Sequence, residues 1–420
     1  MQERRLVITT DHVYTALLFI IIYCSHDTLL FGTNSDALFI SLRKIIPFLL
    51  CCILLVLDVI ERKKFNINKV LLGFIVILLP VVSCFVNHET VDNYIYRLVI
   101  MLCALILEMS VDKEKICQDY CSIMIFLSLW SVCFFSLPKL APSLISAFPK
   151  IINSNGNVFF FALFSVGEDD MRNTGIFREP GVFVVFLAIA LLLTLLYDSP
   201  KKRKEHLIIF TITILTTLST AGYIILAVFY CYLILVNKEI KHKPVIIILI
   251  TLVLVVLITQ TNILQSDGML FSKFRKGTNS YGSWFARLSS LTQSLGIAIK
   301  NPLFGVGRYT LYNTILDVNG VYAAIDNTNT ILIGFASYGF LFGIFLVLGC
   351  WNFIKSQTHD FISSFFLFIV LFMALSNEDM GQNIIFYFIV FSGLGFMVEN
   401  RATDCTGNRI EDLSEKNNSD

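Results

Sequence analysis

Charged residues are scarce in this chain of 420 residues, at 15% of the total. Soluble domains carry roughly 25%, and here the deficit runs along the whole sequence. The formal net charge is only +1, which favours neither a nucleic-acid partner nor an acidic tail. Together with a hydrophobic content of 56%, these values exclude an ordinary soluble protein and predict an all-α, polytopic membrane protein.

Several chemistry-bearing patterns are also missing. There is no P-loop, no nucleotide-binding motif, no Ser-His-Asp constellation and no C-x-x-C pair, and the histidines predicted in outer loops, His26 and His88, are far apart in sequence. None of the 11 cysteines falls in the two long outer loops proposed below, which argues against a disulfide framework. Cys117 and Cys121 are predicted to be packing residues of one helix. We therefore expect no metal and no cofactor.

The positions of the basic residues predict the membrane topology. Arg4 and Arg5 place the N-terminus inside, no cleavable signal peptide is evident, and the run from Lys201 to Lys204 marks the strongest inner loop. Because a span needs about 20 apolar residues, we predict about 12 transmembrane helices with both termini cytoplasmic. They cover about residues 13–31, 45–60, 70–86, 94–109, 120–137, 181–197, two short helices in 207–236 that meet at Ser219–Gly222, and 245–259, 331–350, 361–376 and 384–398.

Residues 1–400 are thus read as one transmembrane domain, with long outer loops at about 138–180 and 260–327 and a polar cytoplasmic tail at 401–420 that is expected to be disordered. Residues 158–166 are apolar but too short to span, and we expect a segment that lies on the surface or is re-entrant. The second loop contains apolar residues at helical spacing, which predict an amphipathic helix with Arg287 beside its apolar face. These residues are Phe285, Leu288, Leu291, Leu295 and Ile299.

Arg178 and Glu179 stand where the first long loop meets a very apolar run. One interpretation is a salt-bridged helix start with Pro180 in the first turn, a favoured position. The other is that Arg178 binds an anion, since a guanidinium makes bidentate contacts with phosphate oxygens, and that Glu179 is a general base. The sequence leaves both open.

Two further arginines lie in the second loop. Arg287 is either an interfacial residue or a ligand-binding one. Arg308 follows Gly305-Val306-Gly307, which is either an ordinary tight turn or an anion-binding nest of backbone N–H groups. If the three arginines converge in space, they suit a pyrophosphate at the membrane surface, or they steer acidic sugars into a cleft.

Carboxylates and amides near the last helices complete the candidates. Asp326, Asn327 and Asn329 precede a predicted helix, where capping is the simpler interpretation. Glu378 and Asp379 form a carboxylate pair. It is either part of a solvated turn, or it binds sugar or acts as a general base.

Four segments occur in an order that resembles the superfamily of O-antigen polymerases and O-antigen ligases. They are G-I-F-R-E-P-G at 175–181, L-S-T-A-G-Y at 218–223, N-P-L-F-G-V-G at 301–307, and T-N-T-I-L followed by Y-G-F-L-F-G within 328–343. The resemblance implies a GT-C-like inner-membrane glycosyltransferase whose long loops and active site face the periplasm. Its substrate would be an undecaprenyl-pyrophosphate-linked oligosaccharide that is embedded in the membrane lipid. Its protein partner would be a chain-length regulator.

The resemblance also assigns functional arginines to both long loops, and Arg178 and Arg287 occupy matching places. The ligase pattern has a histidine before the asparagine that opens the late helix, where this chain has Thr328. We therefore prefer a repeat-unit polymerase to a ligase. A flippase or other transporter is the alternative from another class, but charged residues within the spans are few, which favours surface catalysis.

The predicted catalytic residues are Arg178, Glu179, Arg287 and Asp326. The predicted substrate-binding residues are Arg172, Tyr223, Arg308, Asn329, Glu378 and Asp379.

Overall fold

A computed structural model describes most of the chain. The described residues are 10–32, 36–61, 65–141, 143, 149–152, 158–160, 164–166, 172–236, 279–313, 315–318, 321–324, 328–358 and 360–417.

Helices dominate the described residues. They are α1 Thr10–Tyr23, α2 Leu29–Gly32, α3 Ala37–Ile60, α4 Ile67–Val86, α5 Asp92–Ser110, α6 Lys113–Leu140, α7 Pro180–Tyr197, α8 Pro200–Thr216, α9 Thr220–Leu235, α10 Asn279–Lys300, α11 Arg308–Asn313, α12 Thr330–Tyr338, α13 Phe340–Lys355, α14 Phe361–Leu375 and α15 Ile384–Asn417. Among them five are long and apolar enough to cross a membrane, and five more apolar helices are shorter. The prediction of an all-α, polytopic membrane protein is confirmed.

The described residues of the two long loops include five short strands. β1 Lys150–Ile152, β2 Val158–Phe160 and β3 Phe164–Val166 form an antiparallel sheet in that order, and β4 Ile315–Val318 pairs with β5 Val321–Ala324. The prediction that the segment 158–166 lies on the surface or is re-entrant stays a prediction, and the structure adds that its described residues are strands. A β-branched and aromatic run that is too short to span instead satisfies its backbone by antiparallel pairing.

Helix α7 lies at the centre of the bundle. Nearly every side chain from Gly181 to Leu195 is buried, and α6, α8, α9 and α14 pack around it. By contrast, α3 and α4 expose most of their apolar side chains, as expected of lipid-facing helices. Elsewhere in the bundle, α13 packs closely on α15. A Cβ on Gly393 would lie 1.9 Å from the carbonyl oxygen of Gly349, so only glycine permits this approach.

Two predicted spans are interrupted. The span predicted at 13–31 ends as α1 at Tyr23, followed by a polar turn and α2. The span predicted at 331–350 is two helices separated at Gly339. Tertiary hydrogen bonds explain the second break, because the amide of Phe340 donates to the carbonyl of Pro302 at 2.7 Å and that of Val306 donates to Ala336 at 2.9 Å.

Other boundaries agree with the sequence. The predicted break between two short helices exists, at Thr217–Ser219 rather than Ser219–Gly222, and the loop helix exists as α10. Cys117 and Cys121 are buried in α6. The prediction of a disordered tail is wrong for residues 401–417, since α15 continues to Asn417. The predicted span at 245–259 lies outside the described residues.

Candidate functional site

Three arginines and two carboxylates meet at one end of the bundle, here called the outer end. Arg97 comes from the first half of α5, Arg178 from the segment before α7, and Arg308 from the start of α11. Glu378 and Asp379 come from the loop between α14 and α15. We call these five residues the arginine cluster. It brings together segments that are far apart in sequence.

Asp379 lies between two of the arginines. Its Oδ2 accepts a hydrogen bond from Arg308 Nη2 at 2.8 Å, and Arg97 Nη2 lies 3.9 Å from the same oxygen. The hydroxyl of Tyr312 also donates to Oδ2, and the amide of Gly381 donates to Oδ1 at 2.8 Å. One carboxylate thus holds two guanidinium groups in place.

Glu378 faces the third arginine. Its Oε2 lies 3.5 Å from Arg178 Nη2, and its side chain is buried. Glu179 is 3.9 Å from Arg178 Nη1, but its side chain is 58% exposed. The loop is fixed to α7 by Asn377, whose side-chain amide donates to the carbonyl of Gly181 at 2.8 Å. Glu378 and Asp379 therefore form a buried ionic loop, and the interpretation as a solvated turn is wrong.

The electrostatics of the cluster follow from this pairing. Burial alone would raise the pKa of Asp379, but Arg308 and Arg97, with the hydrogen bonds from Tyr312 and Arg308, hold it well below its usual range. An acid with so low a pKa is a poor general base near neutral pH. Burial would lower the pKa of Arg178, yet nearby carboxylates raise it, so this guanidinium stays charged.

Some guanidinium N–H groups in the cluster make no hydrogen bond. Arg178 Nε and Arg308 Nη1 are buried without a hydrogen bond within the described part of the chain, and so are Arg97 Nε and Nη2. Arg97 is 2% exposed. A buried donor without a partner costs free energy, so these groups are suited to an anion that would accept from them.

The Gly305-Val306-Gly307 segment is not an anion nest. The amides of Val306 and Gly307 donate to carbonyls of α12, at Ala336 and Ser337. The next amides are also occupied: that of Arg308 donates to the Tyr94 hydroxyl at 3.1 Å, and those of Tyr309 and Thr310 donate to the Glu89 carboxylate. The tight-turn interpretation holds, and the turn serves to present Arg308.

Asn329 is a helix cap. Its Oδ1 accepts from the amide of Leu332 at 2.8 Å, and its Nδ2 donates to Ser376 Oγ at 2.7 Å. The neighbouring Thr330 donates to the carbonyl of Glu378 at 2.7 Å. The capping interpretation is confirmed for Asn329, and this cap also positions the carboxylate loop.

The remaining predicted residues lie away from the arginine cluster or outside the described residues. Arg172 donates to the carbonyl of Thr217 at 3.2 Å. The hydroxyl of Tyr223 donates to the carbonyl of Leu215 at 3.2 Å, so both residues stabilise the junction of α8 and α9. The side chain of Arg287 and the whole of Asp326 fall outside the described part. Among the described residues no cluster of three or more His, Cys, Asp or Glu could hold a metal ion.

Sequence reasoning missed Arg97, Asp27 and His26 as members of this region. Asp27 and His26 lie in the turn between α1 and α2. Burial and the charges of Arg178, Arg43 and Arg308 lower the His26 pKa to about 3, which shows how close this turn is to the cluster. A signal existed, because a His-Asp pair and an arginine at the outer ends of apolar runs are costly unless they have partners.

The fold and this charged outer end define the class: a polytopic helical membrane protein with a buried arginine cluster at one end of its bundle. A family model described as O-antigen ligase matches residues 206–331, from α8 to the start of α12. This match supports membership of the O-antigen polymerase/ligase superfamily, in agreement with the resemblance found in the sequence. No curated protein matches the chain.

Proposed function

We propose that this chain is a repeat-unit polymerase for O-antigen or capsule. It transfers a growing glycan from undecaprenyl pyrophosphate to the non-reducing end of a new lipid-linked repeat unit. In this proposal the protein lies in the bacterial inner membrane with both termini in the cytoplasm, and the arginine cluster faces the periplasm. A chain-length regulator protein is its expected partner.

The observation that supports this proposal is the pair of guanidinium N–H groups without a hydrogen bond on Arg178 and Arg308. A pyrophosphate offers many oxygen acceptors and at least two negative charges, and arginine is the residue best suited to both. Arg178 and Arg308 keep partly exposed side chains, at 20% and 13%, and these would contact the ligand. Arg97 is deeper and would act through Asp379.

The chemistry needs little beyond charge and orientation. The acceptor hydroxyl attacks the anomeric carbon of the donor, the bond from that carbon to the pyrophosphate oxygen breaks, and the hydroxyl proton passes to a base. Because the leaving group is already activated, we expect no nucleotide, metal or cofactor. Arginines that stabilise the departing charge supply the main catalytic effect.

The proton acceptor is assigned among exposed carboxylates. Glu179 is the best described candidate, because its side chain is exposed beside Arg178, whereas Asp379 and Glu378 are buried against arginines. Asp326 stays a prediction for the same role, and Arg287 for pyrophosphate binding. Tyr223 and Asn329 are buried, so of the predicted sugar-binding residues outside the cluster only Arg172 stays a prediction.

A ligase that transfers the glycan to lipid A core is the second candidate. The family description favours it, since the matching model is that of O-antigen ligases. Thr328 stands where the ligase pattern has histidine, which favours the polymerase.

A gel of surface polysaccharide from the native host with this gene deleted tests the proposal. A polymerase predicts core with a single repeat unit and no ladder. Bare core with polymer left on the lipid carrier would mean a ligase, and bare core with repeat units trapped on the cytoplasmic side would mean a flippase. An unchanged ladder would contradict the assignment to O-antigen.

A further inference from the structure

The turn between α1 and α2 is paired with the segment that carries Arg178. The amide of Arg178 donates to the carbonyl of Asp27 at 3.0 Å, and the amide of Leu29 donates to the carbonyl of Ile176 at 2.9 Å. Thr28 and Phe177 form an antiparallel bridge between these two bonds. The backbone position of Arg178 is therefore set by a turn near the start of the chain.

The carboxylate of Asp27 is fixed in this turn. The residue is 1% exposed, and its Oδ2 accepts a hydrogen bond from Asn383 Nδ2 at 2.9 Å. Asn383 is itself held, because its Oδ1 accepts from the amides of Ile385 and Phe386 at the start of α15. The three segments around Asp27, Arg178 and Asn383 thus form one bonded unit.

A buried carboxylate persists only where a counter-charge or several hydrogen bonds offset the loss of water. Burial raises the Asp27 pKa to about 6, and Arg178 is the main charge that opposes the rise. In return, Asp27 contributes more than Glu378 or Glu179 to raising the pKa of Arg178. The two residues are therefore electrostatic partners as well as backbone partners.

We propose that Asp27 is a positioning residue for Arg178, and that the turn between α1 and α2 is part of the pyrophosphate site. The inference rests on the proposed function. Asp27 is too deeply buried to touch substrate. It acts by holding Arg178 at the outer end through a bonded backbone and a fixed buried charge, so that the guanidinium is aligned before the donor arrives.

The ionised form of Asp27 does this work, which predicts an acid limb in the pH profile. As pH falls through about 6, Asp27 takes up a proton, its charge is lost and Arg178 is held less firmly, so the transfer rate falls. Several titratable or charged groups face Asp27 or its turn from neighbouring elements. They are His26, Arg43, Tyr96, Tyr120, Arg178, Arg308 and Asp379. The pKa values of His26, Arg178 and Asp379, which lie in loops, are shifted away from their ordinary values, and none of them is near 6.

The test compares wild type with Asp27→Asn in proteoliposomes, with lipid-linked repeat units from a host that lacks this gene as substrate. The initial rate of polymer formation is measured from about pH 5 to about pH 8. Asparagine keeps the size of the side chain and removes its charge. The control is Asp58→Asn. Asp58 is another buried aspartate, and near the C-terminal end of α3 it accepts a hydrogen bond from the hydroxyl of Ser110.

We expect wild type and Asp58→Asn to share an acid limb near pH 6, and Asp27→Asn to lose that limb and run about a hundredfold slower at neutral pH, as for a misplaced catalytic group. An acid limb retained in Asp27→Asn, or absent from wild type, would overturn the inference, and the second outcome can be measured even if the variant fails to fold. No product from folded wild type would contradict the proposed function, and the inference with it.

Discussion

Glu378 and Asp379 are consecutive residues whose carboxylates face different arginines. Glu378 lies 3.5 Å from Arg178, whereas Asp379 accepts a hydrogen bond from Arg308 at 2.8 Å. One short loop between α14 and α15 therefore connects the segment before α7 with the segment after α10. The two long loops contribute to one site because this dipeptide joins them.

Arg178→Ala should abolish chain extension while the protein still inserts in the membrane. Removal of the guanidinium takes away a charged donor aimed at the leaving group, and loss of one such donor typically costs about 10²–10³ in rate. Arg178→Lys should recover only part of the activity, since lysine lacks the bidentate geometry. The measurement is the polysaccharide ladder at matched membrane levels of each variant.

Lys201→Ala is the matched control for Arg178→Ala, because Lys201 is an exposed cation of the predicted inner loop. It should give a normal ladder. Normal long polymers from Arg178→Ala would contradict the role assigned to Arg178.

Asp379→Asn should destabilise the fold strongly. The substitution leaves Arg97 and Arg308 without their shared counter-charge, and breaking a buried ion pair from one side costs about 3–5 kcal/mol. Since the folded pKa of Asp379 is lowered, its contribution is complete above the ordinary aspartate value of 3.8 and is lost as pH falls below it. Thermal unfolding in detergent should therefore show a gap between wild type and variant that narrows in acid.

Glu179→Gln provides the comparison, since this carboxylate is exposed and weakly paired. It should change thermal stability little. A gap for Asp379→Asn that stays constant down to low pH would show that the charge of Asp379 is not what stabilises the fold.

Local sequence signals predicted several elements of this architecture correctly. The small-residue break between α8 and α9 and the loop helix α10 follow from composition and spacing alone. An arginine at the start of an apolar run also led to the functional role of Arg178, which stays a prediction. These features depend on neighbouring residues, and a single sequence reports them.

Features that depend on distant partners were missed. No residue near Asp27 in the sequence indicates that it pairs with Arg178. Likewise, no residue near Gly339 indicates that the amide of Phe340 donates to the carbonyl of Pro302. Such contacts join segments across the whole chain, and no local pattern encodes them. The ionic role of Asp379 was missed for the same reason.

Gly307→Ala should destabilise the turn that presents Arg308. Gly307 has φ of +81°, which costs a side-chain-bearing residue about 1–2 kcal/mol. Its Cβ would also lie 2.3 Å from Glu89 Oε1. Glu89 accepts hydrogen bonds from the amides of Tyr309 and Thr310, so its displacement would loosen the start of α11. Thermal unfolding should show a lower midpoint, with reduced activity.

Gly296→Ala is the opposite case within α10. A Cβ there meets nothing within 4 Å, and alanine favours a helix over glycine by about 1 kcal/mol. This variant should be as stable as wild type or more so. A loss from Gly296→Ala equal to that from Gly307→Ala would indicate that the turn has no special requirement for glycine.

Helix α10 should tolerate changes on its apolar stripe better than on its small-residue face. The sequence predicted an apolar stripe that includes Leu295 and Ile299, yet both are exposed, and Ile299 is 61% exposed. The buried face is instead Ser290, Ser294 and Ala298, which packs on α12. Small residues allow close approach between helices in a membrane, where apolar side chains gain little by leaving lipid.

Ala298→Leu should therefore cost about 1–3 kcal/mol through overpacking against α12, and Ile299→Ala about 0.5 kcal/mol or less. Thermal unfolding of the purified variants measures both, and the polysaccharide ladder reports whether the shift of α10 reaches Arg308 through Asn301–Gly307. Because α12 carries the Asn329 cap that holds Ser376 beside the carboxylate loop, Ala298→Leu should also lower activity. Equal stability of the two variants would contradict the special role of the small-residue face of α10.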